Sequence, residues 1–402
     1  MMRRKWAKLA VALPFLLTGC KGFWNALPVS STGSGSTASG GSFYVLNIAT
    51  EQVAGYTIDS GTPTPVPGSP VSLGVAPLSM AIAPKADFLY VGTQNGIYLF
   101  SIASTGQLTA GNNAQPISGD KAISMVVSPD GGWLIDVQAS APSVNAIAIN
   151  ATTGTLASAN EQEAIATLPA VTGATPQVAV SPDGSYVFAA MGTEGTAVIP
   201  FTTANADPFG GVGRIPPAGS GGQALSVAVD PLQSGQTTPR LFYVGETVAT
   251  SGDNSGGLRV FNFSTLASGL KELSGSPLSI SGLAPYSILP ISTGNYVYVV
   301  SRTVSNSSGV VSNTGVIAGF TVAGSSGVYS VTALGSTFAV GTNPVGLAED
   351  STGTYVLAVD SGGDPDLKGY TFDSTNAGYL DAAISANTGT DPVGAGAIVA
   401  VP

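Results

Sequence analysis

Hydrophobic and polar positions follow one pattern that recurs along most of this chain. A small polar or Pro-led start opens into an apolar run, a Pro/Asp/Gly-type turn follows, and a second apolar run ends near Tyr-Val. The pattern starts at Pro77 (PLSMAIAPKADFLYVGT), Ala122 (AISMVVSPDGGWLIDVQ), Thr175 (TPQVAVSPDGSYVFAAM), Ala224, Pro285 (PYSILPISTGNYVYVVS) and Pro344 (PVGLAEDSTGTYVLAVD). A seventh start at Pro392 (PVGAGAIVAVP) reaches the C-terminus after one strand. The remainder of that unit lies at the other end, in SFYVLNIATEQVAGYTID from Ser42 to Asp59. Successive starts are 45 to 61 residues apart. That spacing fits a propeller blade of four short strands with loop insertions.

The strands differ in kind. First strands are small and apolar, as in Met80-Ala81-Ile82-Ala83 and Val178-Ala179-Val180. Such runs suit a crowded position around a channel, buried on both faces. Second strands are larger and more aromatic, as in Phe88-Leu89-Tyr90-Val91 and Tyr296-Val297-Tyr298-Val299, and suit the wider space between blades. Third strands follow at Ile97–Phe100, Ala146–Ile149, Ala197–Ile199, Leu258–Phe263, Val316–Phe320 and Leu367–Phe372. Fourth strands are poorly marked. The expectation is an all-β, seven-bladed propeller over residues 43–402. Its last blade takes its inner strand from the C-terminus and its other strands from Phe43 to Asp59, which leaves no open edge in the ring.

Residues 1–19 read as an export leader: Arg3, Arg4, Lys5 and Lys8 precede a short apolar stretch from Leu9 to Leu17. Leu17-Thr18-Gly19-Cys20 resembles the bacterial lipobox, which implies cleavage before Cys20 and lipid attachment there. Cys20 is the sole cysteine, so no internal disulfide forms. Residues 20–42, rich in Gly and Ser, read as a tether. Lys21 after the cysteine tilts the expectation towards the outer membrane. Removal of the leader takes four basic residues and leaves 9 against 23 acidic ones, a net charge of −14. Nucleic acid is therefore not an expected partner. The expected partners are the membrane, through the lipid on Cys20, and a small-molecule, glycan or protein ligand, with the ring itself monomeric.

The units SPDGGWLIDVQ, SPDGSYVFAAM and APKADFLYVGT resemble the YVTN-type repeat of lactonase-like seven-bladed propellers. The name-giving tetrapeptide is degraded here to Tyr90-Val91-Gly92-Thr93 and Tyr243-Val244-Gly245-Glu246. The resemblance covers residues 43–401. It implies kinship with 6-phosphogluconolactonase-like enzymes and with envelope proteins of no assigned activity.

In such a ring, ligands are expected over the channel mouth, on loops leaving the second strands and leading into the inner ones. Glu246, Arg302 and Asp360 are the catalytic candidates, with one arginine between two carboxylates that could act as general bases. The alternative is an ion-pair network joining blades. Lys121, Gln138, Glu194, Gln223, Tyr286 and Asn343 complete the expected face. Asp253, Asp364 and Asp366 offer oxygen ligands of the kind calcium prefers, or simply polar turns. The aspartates of the Pro-Asp-Gly turns, Asp130 and Asp183, read as turn chemistry on the opposite face. No cofactor is expected. The chain contains no histidine, so an imidazole base, a Ser-His-Asp triad and a His metal site are all excluded. The residues alone favour a lipid-anchored, non-catalytic binding or scaffold module of the cell envelope. The alternatives are a lactonase-like hydrolase acting on sugar lactones and an adhesion or matrix protein.

Overall fold

Each repeat start becomes the inner strand of an antiparallel sheet. The computed structural model describes residues 41–138, 143–157, 163–167, 177–248, 256–267, 269–280, 282, 284–302, 304–305, 311–312, 314–363, 365–389 and 394–402. Cys20, Asp253 and Asp364 lie outside these residues. From inside outwards, blade 1 is Pro77–Ile82, Phe88–Thr93, Gly96–Ile102 and Leu108–Ala110; blade 2 is Ala122–Val127, Trp133–Gln138, Ser143–Ala148 and Glu163–Thr167. Blade 3 is Gln177–Val180, Tyr186–Ala190, Thr196–Pro200 and Gly213–Ile215; blade 4 is Ala224–Val229, Leu241–Glu246, Gly257–Asn262 and Lys271–Glu272. Blade 5 is Pro285–Pro290, Tyr296–Ser301, Thr314–Ser325 and Val328–Thr342; blade 6 is Pro344–Glu349, Tyr355–Asp360, Leu367–Phe372 and Leu380–Ala386.

Blade 7 is assembled from both ends: Ala395–Ala400 inside, then Ser42–Asn47, Gln52–Asp59 and Thr62–Pro65. Phe43 pairs with Ala400 and Val45 with Ile398. The inner strands touch in sequence around the ring, and Ala395–Ala400 touches both Pro344–Glu349 and Pro77–Ile82. The protein is thus a closed seven-bladed propeller, as the split repeat predicts.

The core is divided into seven clusters, one at each junction of neighbouring blades. Second strands supply its largest fully buried side chains, among them Tyr44, Tyr90, Phe188, Phe242, Tyr243 and Tyr298. Fully burying a large apolar side chain is worth about 1.5–3 kcal/mol. At the junction of blades 3 and 4, Phe188, Phe242 and Phe261 stack with centroids 4.7 and 4.8 Å apart.

Two polar devices join the blades. Tyr44, Tyr90 and Tyr298 each donate their hydroxyl to a glycine carbonyl of the next blade: Gly106 (2.7 Å), Gly154 (2.9 Å) and Gly378 (2.7 Å). All three glycines have positive φ, and a Cβ on Gly154 would fall 2.6 Å from the Phe88 ring. Serines of the inner strands form the second device. Ser79 Oγ donates to Ala122 O at 2.7 Å, and Ser226 Oγ donates to Pro285 O at 2.9 Å. Gln177 holds the corresponding place in blade 3, and its Nε2 reaches Tyr286 O of blade 5 at 2.7 Å.

Candidate functional site

The face that the sequence singles out is built by one repeated backbone event. The second strand ends opposite the first residue of its inner strand, next to a β-bulge. Asn47 pairs with Ala395, Thr93 with Pro77, Gln138 with Ala122, Glu246 with Ala224, Ser301 with Pro285, and Asp360 with Pro344. A bulge adds a residue and re-aims the neighbouring side chain. The polar group ends up inside the protein: Asn47, Thr93, Glu246, Ser301 and Asp360 are fully buried.

Three of these groups are committed to internal partners. Asn47 Nδ2 donates to Thr388 O at 2.8 Å, and Thr93 Oγ1 donates to Gly96 O at 2.8 Å. Glu246 accepts from Arg259 Nη1 at 2.9 Å and from the Ala218 amide at 2.8 Å. Arg259 also grips Glu272 through two nitrogens, at 3.1 and 2.7 Å, and donates to Pro216 O at 2.8 Å. Burial pushes the Glu246 carboxyl up, and Arg259 opposes that rise. Glu246 is therefore part of an ion-pair network within blade 4, which hydrogen bonds tie to the segment entering from blade 3. Neither Arg302 nor Asp360 is ion-paired with it among the described residues.

Asp360 is different. Its Oδ2 accepts from the Gly341 amide at 3.0 Å, and its Oδ1 is buried without a hydrogen-bond partner. Burial raises its pKa to about 7; the Gly341 amide and Lys368 work against the rise, and Asp366 adds to it. Such a group is poised between acid and base near neutrality.

Arg302 lies on the adjacent blade, one residue past the strand end. Its guanidinium carbon sits 3.9 Å from the centroid of the Tyr286 ring, and its Nε is buried without a partner. The other three arginines among the described residues are ion-paired: Arg214 with Glu194, Arg240 with Asp230, and Arg259 with Glu246 and Glu272. Among the described residues, Arg302 alone of these four has no carboxylate partner. An arginine stacked on a ring, with its Nε donor unused, has the chemistry to bind an anion.

The other expected residues divide between scaffold and surface. Glu194 is paired with Arg214 at 2.9 Å, and Gln138 Nε2 donates to Asp120 at 2.8 Å. Lys121 is exposed. The Thr247 amide donates to Gln223 O at 3.0 Å, and the Gln223 amide donates to Thr247 Oγ1 at 3.0 Å. Asn343 has φ 53° and accepts from the Ser361 amide and hydroxyl at 2.9 and 3.0 Å. Asp366 is buried and accepts from the Thr388 amide (2.8 Å) and hydroxyl (2.7 Å). No group of three or more metal-ligating side chains occurs among the described residues. Asp130 and Asp183 close their turns on the opposite face, accepting from Ser128 and Ser181 at 2.6 Å.

The partner of Glu246 was missed by sequence reasoning, although a signal existed. Arg259 interrupts the apolar run LRVFN, and Glu246 pairs with Gly257 two residues earlier, so both side chains share one face.

No protein-family model matches this sequence, and no curated protein matches it. Solved structures do. A protein provisionally named as a 6-phosphogluconolactonase from Bacteroides fragilis superposes with a TM-score of 0.66 at 16% identity, over 92% of this chain and all (100%) of the other. The periplasmic gluconolactonase of Pseudomonas aeruginosa superposes with a TM-score of 0.61 at 19% identity, over 90% of this chain and 99% of the other. A functionally unknown protein from Desulfotomaculum acetoxidans gives a TM-score of 0.59 at 13% identity, over 90% and 98%. These likenesses define the class by its fold: the chain is a seven-bladed propeller similar to lactonase-like propellers, alongside others of unknown function.

Proposed function

We propose that the protein is an exported, lipid-anchored hydrolase of sugar lactones, acting on the face where the second strands end. The observation that carries this is Asp360: a fully buried carboxyl with a pKa of about 7 and one oxygen unclaimed by the protein. Oδ1 of Asp360 is closed to solvent, so the reaction requires the strand end to open and admit water; ionised Asp360 then takes a proton from that water as its oxygen attacks the lactone carbonyl. The ring C–O bond then breaks, the leaving oxygen takes that proton, and a sugar acid is released. Arg302 on the neighbouring blade anchors the substrate's phosphate, or the negative charge that develops on the carbonyl oxygen. The likeness to propellers named as lactonases supports the reaction class. The basic and apolar leader ending at Cys20 supports the placement in the envelope, with the outer membrane favoured by Lys21.

The test is acid release from glucono-δ-lactone and 6-phosphogluconolactone, measured above the spontaneous rate. Turnover that rises with pH through a midpoint near 7 and falls about 100-fold or more in Asp360→Asn is the expected result. Acid release at the uncatalysed rate with both lactones overturns the proposal. A second reading is favoured by Glu246, whose carboxylate is already committed to Arg259. It is a non-catalytic binding module, in which Arg302 holds a sugar acid or its lactone unchanged. Binding that disappears in Arg302→Ala, without turnover, identifies that case.

A further inference from the structure

We infer that the closing seam carries a second ligand site, on the face opposite Asp360, for a monosaccharide-sized carboxylate. This rests on the ring itself and is independent of the lactonase reading. In every blade, one backbone hydrogen bond closes the turn between the inner and second strands. It runs from Ala83 to Phe88 in blade 1, from Ser128 to Trp133 in blade 2, and from Val401 to Ser42 in blade 7. Blade 7 keeps the bond but has no turn, because its inner strand, Ala395–Ala400, and its second strand, Ser42–Asn47, come from distant parts of the chain. Its Ser42 also stands where the other blades place Phe88, Trp133, Tyr186, Leu241, Tyr296 and Tyr355.

The consequence is a cavity of about 470 Å³, lined among others by Ser42, Lys85, Ala86, Ser104, Ser351 and Val401. The neighbouring junction provides an internal control. Between blades 1 and 2 the corresponding residues, including Phe88, Asp130, Gly131 and Ala151, enclose about 20 Å³. A volume of a few hundred Å³ is in the range of small-molecule sites.

The seam lining is chemically distinct as well. Lys85 stands at the turn position held by Asp130, Asp183, Thr293 and Thr352 in blades 2, 3, 5 and 6, and is the only cation among them. It is also the only charged residue of the cavity wall among the described residues. Ser42, Ser104 and Ser351 line the same cavity with hydroxyls. The next residue, Ala86, has φ 57°, whereas Gly131, Gly184, Gly294 and Gly353 take that conformation elsewhere. A non-glycine residue in this region is strained and is maintained by its surroundings. One ammonium among hydroxyls, in a space of this size, fits a sugar carrying one carboxylate.

Two sources share this chemistry: a free sugar acid and a uronate residue of an envelope glycan. Titration calorimetry on the full chain, with D-glucuronate, oligogalacturonate and neutral D-glucose, separates them. At least one acid is expected to bind, with D-glucose about tenfold weaker or more. Lys85→Gln should weaken acid binding about tenfold. Ser42→Phe restores the ring found in other blades, and should abolish binding while the unliganded melting temperature holds or rises. Failure of both acids to bind, or binding that survives Ser42→Phe undiminished, overturns the inference.

Discussion

Replacing Asp360 by Asn should make the propeller more stable in mild alkali, and by an amount set by pH. In the native protein, burial raises this carboxyl from 3.8 to about 7. An unfolded chain hydrates it, so its pKa there stays near the ordinary value. A raised acid favours the protonated native state. Its contribution to stability is complete below pH 4 and is lost as pH rises towards 7, because over that window the unfolded state binds fewer protons than the native one. Each pKa unit is worth about 1.4 kcal/mol, so the wild-type protein should lose about 4 kcal/mol relative to Asp360→Asn between pH 4 and pH 8. Asn preserves the acceptor for the Gly341 amide, so the comparison isolates the charge. Urea unfolding of both proteins at pH 4, 5, 6, 7 and 8 measures the difference directly. If the two stability curves stay parallel across that range, the carboxyl is not held near 7 by burial, and the basis for its acid–base role is lost.

Arg259→Met should cost about 3–5 kcal/mol, because it leaves Glu246 buried without its ion partner. The double variant with Glu246→Met should recover much of that loss in chemical denaturation. Tyr90→Phe removes one inter-blade hydrogen bond and leaves the buried Gly154 carbonyl unpaired, for about 1–3 kcal/mol in the same assay. Gly154→Ala should cost more than about 1 kcal/mol, since φ is +71° there and the new methyl meets the Phe88 ring. Deleting residues 392–402 removes the inner strand of blade 7 and should broaden calorimetric unfolding from one cooperative transition; an unchanged transition would mean that the ring closes by other contacts.

Much of the fold was legible because propeller blades repeat their chemistry. The small inner strands, the aromatic second strands and the seam between residues 42–59 and the C-terminus all follow from apolar periodicity and turn residues. Thr62–Pro65 was not legible: two prolines argue against a strand, yet an outer edge needs no ladder donors there. The site was harder to read than the fold. Glu246, Arg302 and Asp360 occupy similar positions in sequence, but their partners depend on cross-strand register and on the bulge at each strand end. Register pairs Glu246 diagonally with Arg259, while Arg302, one residue beyond its strand, falls onto Tyr286. Spacing along the chain carries no information about either outcome.

The strand Ser42–Asn47 has a consequence for how the protein comes into being. It is among the first parts of the ring to be synthesised, yet its inner partner, Ala395–Ala400, is the last. Through nearly all of synthesis that strand presents an unpaired edge. Contacts this distant in sequence form late and slowly, and exposed edges invite pairing with other chains. Arrival of the C-terminus is therefore the step that commits the ring. A chain halted before residue 395 is a stack of blades in which Ser42–Asn47 has no inner partner, and that edge stays open to other chains until the final strand emerges.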